Sequence, residues 1–454
     1  MTQQRALKSL TERLSKIRPE RVVGRVAGVD GGVVRARGIE KVTRLGDRVT
    51  IKTRDQTVLR CEVVQLSDAG VILLPDSDLE GVSLGDPVTQ DQGGKIAPCD
   101  DWIGRLIDPD GNPLDGQPLP QGPEARNLRA TPPAPAQRRA LGARLATGHL
   151  TFDTILPVVQ GQRIGLFAGS GVGKSSLMGR LAQRMEADIV VIALVGERGR
   201  EVRHFVDDIL GPEGLRRSIV IAATSDQSPL VRRRCAWTAM TVAEHFRDAG
   251  KSVLLVADSI TRFAEAHREV AIAAGEAPVL RGYPPSTAHL IMSLCERAGP
   301  GMCSQGDITA VFSVLVPGSD MEEPIADILR GVLDGHVVLD RDIAERGRFP
   351  AVDVLRSVSR SLPAAANDAE NEILMQVRKH LSVYAKNQVM ISAGLYTQGA
   401  DPDIDAAIEI WPELDAALGM QHEQGVSHSF DRLRLIMRRV GRTSPESAAR
   451  RQLT

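Results

Sequence analysis

Residues 5 to 18 place Leu7, Leu10, Leu14 and Ile17 on one helical stripe, with Arg5, Lys8, Arg13, Lys16 and Arg18 on the other faces. The spacing predicts a basic amphipathic helix within 1–21. Such a helix docks on its own protein, or serves a partner or an anionic membrane surface. From 22 to 95 the period changes. The runs "RVVGRVAGV", "GVVRA", "DRVTIK", "VLRCEVVQL" and "GVILL" alternate with Gly/Asp turns, which predicts a small antiparallel β-barrel. "ATPPAPAQRR" (130–139) reads as an extended surface connector. Beyond it the apolar runs become continuous: "QRIGLFA", "DIVVIALV", "RSIVIAA" and "SVLLVAD", with helical patterns between them. Unbroken runs are what strands buried on both faces look like, so a mostly parallel sheet covered by helices is expected. From 361 onward no strand pattern remains, and "NDAENEILMQVRKHLSVYAKNQVM" and "DIDAAIEIWPELDAALGM" read as helices. The arginine-rich end, "RLRLIMRRVGRTSPESAARRQLT", reads as a solvated tail. The expected organisation is a multi-domain α/β protein: a helix at 1–21, a barrel at 22–95, an α/β domain at 96–360 and a helical domain at 361–454.

Composition narrows the partners. The 454 residues carry a formal net charge of −1, which predicts neither a nucleic-acid binder nor a membrane-surface binder. The barrel segment has no aromatic residue before Trp102, so it lacks the stacking platforms of a single-strand-binding barrel. No apolar stretch approaches the roughly 20 residues of a spanning helix, and no apolar signal core opens the chain. Cys61, Cys99, Cys235, Cys295 and Cys303 lie far apart, which predicts buried, reduced thiols in a cytoplasm rather than disulfides or a zinc site.

The candidate chemistry begins at "LFAGSGVGKSSLMG" (166–179). A glycine-rich turn between a strand and a helix fits a P-loop, with Ala168 at the usual leading glycine. Gly169, Ser170, Gly171, Val172 and Gly173 would curl backbone N–H groups around phosphate oxygens, with Ser176 in the first helical turn beyond them. Lys174 would reach the β- and γ-phosphates, and the Ser175 hydroxyl would ligate Mg²⁺. Asp258, ending "SVLLVAD", can hold Mg²⁺ through water. Glu197, in "ALVGERGREV", follows another buried strand. It is either the carboxylate that orients the attacking water or one side of a surface salt bridge. Hydrolysis of the γ-phosphate also gains from a cation meeting the developing charge. Arg356 and Arg360 in "LRSVSRS" are both candidates, and spacing does not choose between them.

"GLFAGSGVGKSS", "LVGERGREV", "DSITRFAEAHREVAIAAGEAP", "RGYPPS", "EPIADILRGVLDGHVVL" and "FPAVDVLRSVSR" resemble the type III protein-export ATPases, kin of the catalytic β subunit of rotary ATP synthases. The resemblance runs from about 20 to about 430, and "GLYTQGADPDIDAAIEIWPELDAAL" looks most like the flagellar branch. It implies a RecA-like P-loop domain, ATP hydrolysis with Mg²⁺, and a homo-hexameric ring with sites shared between neighbours. Glu197 becomes the catalytic carboxylate and Arg360 the arginine finger given to the neighbour. Phe349 stands where the family usually has a tyrosine stacked on adenine, and Tyr396 is a second adenine-pocket candidate. Implied partners are a stator-like regulator at the N-terminal helix, a coiled-coil central stalk, export chaperones and the membrane export gate. The implied location is cytoplasmic, peripheral at the inner face of the export apparatus, with no nucleic acid. Departures from the family pattern occur at "RGYPPSTA" (Ala288), "PGSDMEEP" (Pro317, Ser319 and Glu322) and "SQGDITAV"; they are expected in loops toward the ring centre. Competing readings are a virulence secretion ATPase, the ATP synthase β subunit, a ring-shaped nucleic-acid translocase and a non-catalytic ring subunit.

Overall fold

The computed structural model describes residues 22–91, 94–279, 281–316 and 321–439. The expected N-terminal helix, Pro317, Ser319 and the end of the basic tail lie outside these residues. The chain forms two compact units.

The first unit is built on a closed six-stranded barrel. Its strands are β1 (Val23–Asp30), β2 (Val33–Arg37), β3 (Arg48–Lys52), β4 (Val58–Ser67), β5 (Gly70–Pro75) and β6 (Pro87–Gln90), in the order β1-β2-β5-β4-β3-β6. All pairs are antiparallel. The alternation seen in the sequence fills the interior with Val34, Ala36, Val49, Ile51, Cys61, Val71 and Leu73. Burial pushes the Cys61 thiol up to about 12, so it behaves as a small apolar filler. β6 was not among the predicted runs. It is four residues long, and it closes the barrel by pairing with both β1 and β3. Two later segments, Gln227–Val231 and Ala266–Pro284, join this unit. Leu230 and Val270 bury themselves against Leu74.

The second unit holds the expected α/β sheet. Its long path runs through β7 (Leu106–Ile107), β8 (Arg163–Ala168), β9 (Ile189–Glu197), β10 (Ser218–Thr224), β11 (Ser252–Asp258), β12 (Asp307–Leu315), β13 (Gly335–Leu339) and β14 (Val352–Ser359). The spatial order is β14-β13-β8-β12-β11-β9-β10-β7, parallel throughout except for the antiparallel edge β13–β14. β9 to β12 are almost entirely buried, as their unbroken apolar runs require.

Helices end the chain. α4 (Asp368–Ser392) starts from a capping box in which Asn367 and Glu370 satisfy each other's backbone N–H groups. α5 (Pro402–Leu418) starts from Asp401, whose side chain accepts from two backbone N–H groups, with Pro402 at the first helical position. α6 (Gly425–Met437) corrects the solvated-tail expectation. Phe430, Leu433 and Ile436 recur every three residues and bury themselves in the core shared with the sheet. The arginines between them masked that stripe. Among the described residues, no helix is long and apolar enough to cross a membrane.

Three further expectations change. Cys303 is exposed, in the turn between Met302 and Gln305, so the thiols are not all buried. Thr287 and Ala288 lie in helix α3 (Ser286–Arg297), not in a loop. Asp307–Val311 forms the buried start of β12, again not a loop.

Candidate active site

The parallel strands place the C-terminal ends of β8, β12, β11 and β9 side by side, which is where open α/β sheets bind ligands. β8 runs into the glycine turn. Ala168 is 1 % exposed and still within the strand, with its carbonyl accepting from the Val316 N–H, so its methyl group packs in the buried strand ahead of the turn. Gly171 and Gly173 sit at φ 79° and 84°, the left-handed region that side chains disfavour. Val172 is buried and anchors the turn, while Ser170 is exposed. Helix α1 (Lys174–Arg184) starts directly behind Gly173 with no side-chain cap. Its first backbone N–H groups and its dipole are therefore available to an anion.

Three predicted residues converge here. Lys174 Nζ stands 2.5 Å from Asp258 Oδ1, and the Asp258 side chain is 4 % exposed. Ser313 Oγ donates to the same oxygen at 2.6 Å. Glu197 closes the group from β9. A bulge between Val195 and Glu197, with Gly196 at φ 69°, re-aims the end of that strand. Burial pushes the Glu197 carboxyl up to about 7; the Asp258 charge and a hydrogen bond with Glu201 add to this, and Lys174 opposes it. Such a carboxyl changes protonation near neutrality, as a group that manages a water proton must. Ser175 is half-buried on the first turn of α1. Its hydroxyl and the Asp258 carboxylate are hard oxygen donors of the type Mg²⁺ takes.

The edge strand β14 separates two other candidates. Leu339 pairs with both Ala168 and Val352, so the start of β14 is level with the glycine turn. Phe349, just before it, stands over Gly173: a Cβ on Gly173 would meet the ring at 3.2 Å. Phe349 is 49 % exposed and faces a cavity of about 270 Å³ lined also by His149, Arg180, Pro350 and Gln421. A core role for this ring is excluded. At the other end, Ser359 pairs with Gly335, beside the entry of β8. Arg360 is therefore at the opposite end of the sheet from its own glycine turn. It is exposed, and its guanidinium donates to the Arg330 carbonyl at 3.0 Å. Arg356 is also exposed, 3.7 Å from Asp340.

Tyr396 is not brought to the cavity. Its hydroxyl donates to Asp405 Oδ1 at 2.8 Å and pairs with the Asp401 backbone, holding the turn before α5. The correction has a local cause: the acidic residues that cap α5 supply the acceptor a tyrosine hydroxyl seeks. Sequence reasoning missed Ser313, His149, Arg180 and Gln421. Ser313 carried a signal, as a hydroxyl inside the apolar run "AVFSVL". The other three come from separate segments and carried none.

The chain is similar to known proteins along almost its full length. Residues 148–359 match the ATP synthase alpha/beta family, nucleotide-binding domain, and residues 366–434 match the T3SS EscN ATPase C-terminal domain. The flagellum-specific ATP synthase of Caulobacter vibrioides is 42% identical over 428 residues, covering 93% of this chain and 96% of that protein. That of Salmonella typhimurium is 40% identical over 437 residues, covering 94% of each. The assembled ATPase EscN from the enteropathogenic E. coli type III secretion system superposes with a TM-score of 0.82 at 35% identity, covering 91% of this chain and 99% of that one. A second EscN structure, in complex with its central stalk EscO, gives the same TM-score at 36% identity over the same shares. With a P-loop, a strand-end aspartate and a near-neutral glutamate on the same sheet ends, and with relatives matched along almost its full length, the chain belongs to the type III protein-export ATPases of the ATP synthase alpha/beta family.

Proposed function

We propose that the chain hydrolyses ATP to energise flagellar type III protein export, as a homo-hexameric ring whose sites are completed by neighbouring subunits. The observation that carries the catalytic reading is the meeting of Lys174, Asp258 and Glu197 beside the glycine turn. Gly169 to Gly173, Lys174, Ser175 and Ser176 hold the triphosphate through backbone N–H groups, the lysine ammonium and the helix dipole. Ser175 and, through water, Asp258 would hold Mg²⁺, which would neutralise charge on the triphosphate. In the free protein Asp258 offsets the Lys174 charge, so the lysine is already positioned at the turn. Glu197 takes up the water proton. Phe349 covers the base.

Arg360 meets the neighbour's γ-phosphate. The register of β14 supports this role, because the residue is remote from its own turn. EscN is described as an assembled ATPase and in complex with a central stalk, which supports a ring and a stalk partner here. The flagellar assignment is supported by the names of the similar proteins. A stator-like regulator, export chaperones, the membrane export gate and a cytoplasmic position at the inner face of that gate complete the reading.

Turnover per subunit measured against protein concentration tests it. A steep rise with assembly is expected for the wild type. Arg360→Ala is expected to bind nucleotide yet stay about 10³-fold slower at any concentration. Full turnover in dilute monomer contradicts the shared site.

A further inference from the structure

The base end of the site is more polar than stacking alone requires. The Phe349 cavity and a second cavity of about 310 Å³ share three residues: His149, Arg180 and Gln421. His149 is 3 % exposed, and its Nδ1 is buried without a hydrogen-bond partner. Burial first, then the Arg180 and His422 charges, bring its pKa down to about 4, so at neutral pH the ring is uncharged, with one donor and one acceptor nitrogen. Arg180 lies on the exposed face of α1, and no carboxylate or carbonyl of the described residues pairs with it. No acidic residue lines the Phe349 cavity.

A stacking ring accepts any base, so discrimination rests on groups at the base edge. Guanine presents two acceptors, O6 and N7, which an arginine fork meets with paired hydrogen bonds. Adenine presents a donor and an acceptor, N6 and N7, which a glutamine amide meets. A fixed acceptor such as a carboxylate aimed at O6 would reject a 6-oxo group; no carboxylate lines this cavity, and the Gln421 amide can turn either its carbonyl or its NH2 to the base. Arg180 and Gln421 together supply both edge codes in one cavity.

We infer that Arg180 is a specificity-determining residue that makes this site accept 6-oxopurine nucleoside triphosphates, such as GTP, alongside ATP, with Gln421 and neutral His149 serving the amino-purine edge. This rests on the nucleotide-site reading above.

The test is equilibrium binding of fluorescent ATP and GTP analogues to the full-length wild type, Arg180→Met and Arg180→Lys. Methionine and lysine keep helix propensity, and the substitution breaks no ion pair. The wild type is expected to bind both nucleotides. Arg180→Met is expected to raise the ratio of the GTP to the ATP dissociation constant at least about fivefold, the lower end for a lost bidentate pair. Arg180→Lys is expected to behave the same way, because an ammonium lacks the planar fork. ATP binding without GTP binding in the wild type overturns the inference alone. So does a ratio that moves less than fivefold in Arg180→Met, or one restored by lysine. Failure of the wild type to bind either nucleotide overturns the nucleotide-site reading and the inference together.

Discussion

Glu197 shows what one side chain gains from its surroundings. An ordinary glutamate is ionised at neutral pH and is a weak base. This one is held up to about 7 by burial, by Asp258 and by Glu201. The pH profile of kcat/KM, which reports groups of the free enzyme, is expected to rise through an inflection near 7. Glu197→Gln is expected to retain nucleotide affinity and lose turnover by at least about 10²-fold. The sign for stability is opposite. A carboxyl with a raised folded pKa contributes stability while protonated and loses it as pH rises through the folded value. Glu197→Gln is therefore expected to melt higher than the wild type at about pH 8 and equally at about pH 4, read by thermal scans. The Lys174–Asp258 pair gives a second residue-scale test. Lys174→Met leaves a carboxylate only 4 % exposed without its cation, which is expected to cost about 3 kcal/mol in urea unfolding. Adding Asp258→Asn should return most of that stability and none of the turnover.

At the scale of the element, the turn into α1 depends on Gly173. Its φ of 84° and the Phe349 ring 3.2 Å from a hypothetical Cβ leave no place for a side chain. Gly173→Ala is expected to cost about 1–2 kcal/mol from the left-handed backbone alone. It also pushes the ring off the turn, so nucleotide affinity should fall with stability, seen by titration calorimetry beside urea melts. Farther from the site, α3 is tied to α2 (Pro229–Asp248) by Arg297, whose guanidinium reaches Glu244 at 2.6 and 2.8 Å with 2 % and 7 % of the two side chains exposed. The same group donates to the Leu128 carbonyl and Thr241. Arg297→Leu strands a buried carboxylate and is expected to cost about 3–5 kcal/mol, read as a lower urea midpoint.

At the scale of the whole molecule, one eight-residue strand links two functions. β14 begins level with the glycine turn, where Phe349 meets the base cavity, and ends at the far side of the sheet, where Arg360 stands free of its own site. On the proposed reading, a single chain built this way holds its own nucleotide and offers Arg360 to its neighbour. Activity is then a property of the assembly, and the concentration dependence above is its direct readout. The barrel segment 22–95 carries no Phe, Tyr or Trp, so added RNA is expected to leave turnover unchanged, in contrast to a translocase.

Local pattern was enough to read five of the six barrel strands, the buried strands β8 to β11, the glycine turn with Lys174 and Ser175, and the acids at two strand ends. Periodicity, turn chemistry and motif spacing act over a few residues, and the chain order alone displays them. Other features are set by contacts between distant segments. Strand order decided that Ser313 shares an oxygen of Asp258 with Lys174. Register decided that Phe349 and Arg360 lie at opposite ends of one strand. Packing decided that His149, Arg180 and Gln421, from three parts of the chain, line one cavity, while Tyr396 turns to the cap of α5. Desolvation decided the proton affinity of Glu197, because a carboxylate's charge is costly only where the folded chain has displaced its water.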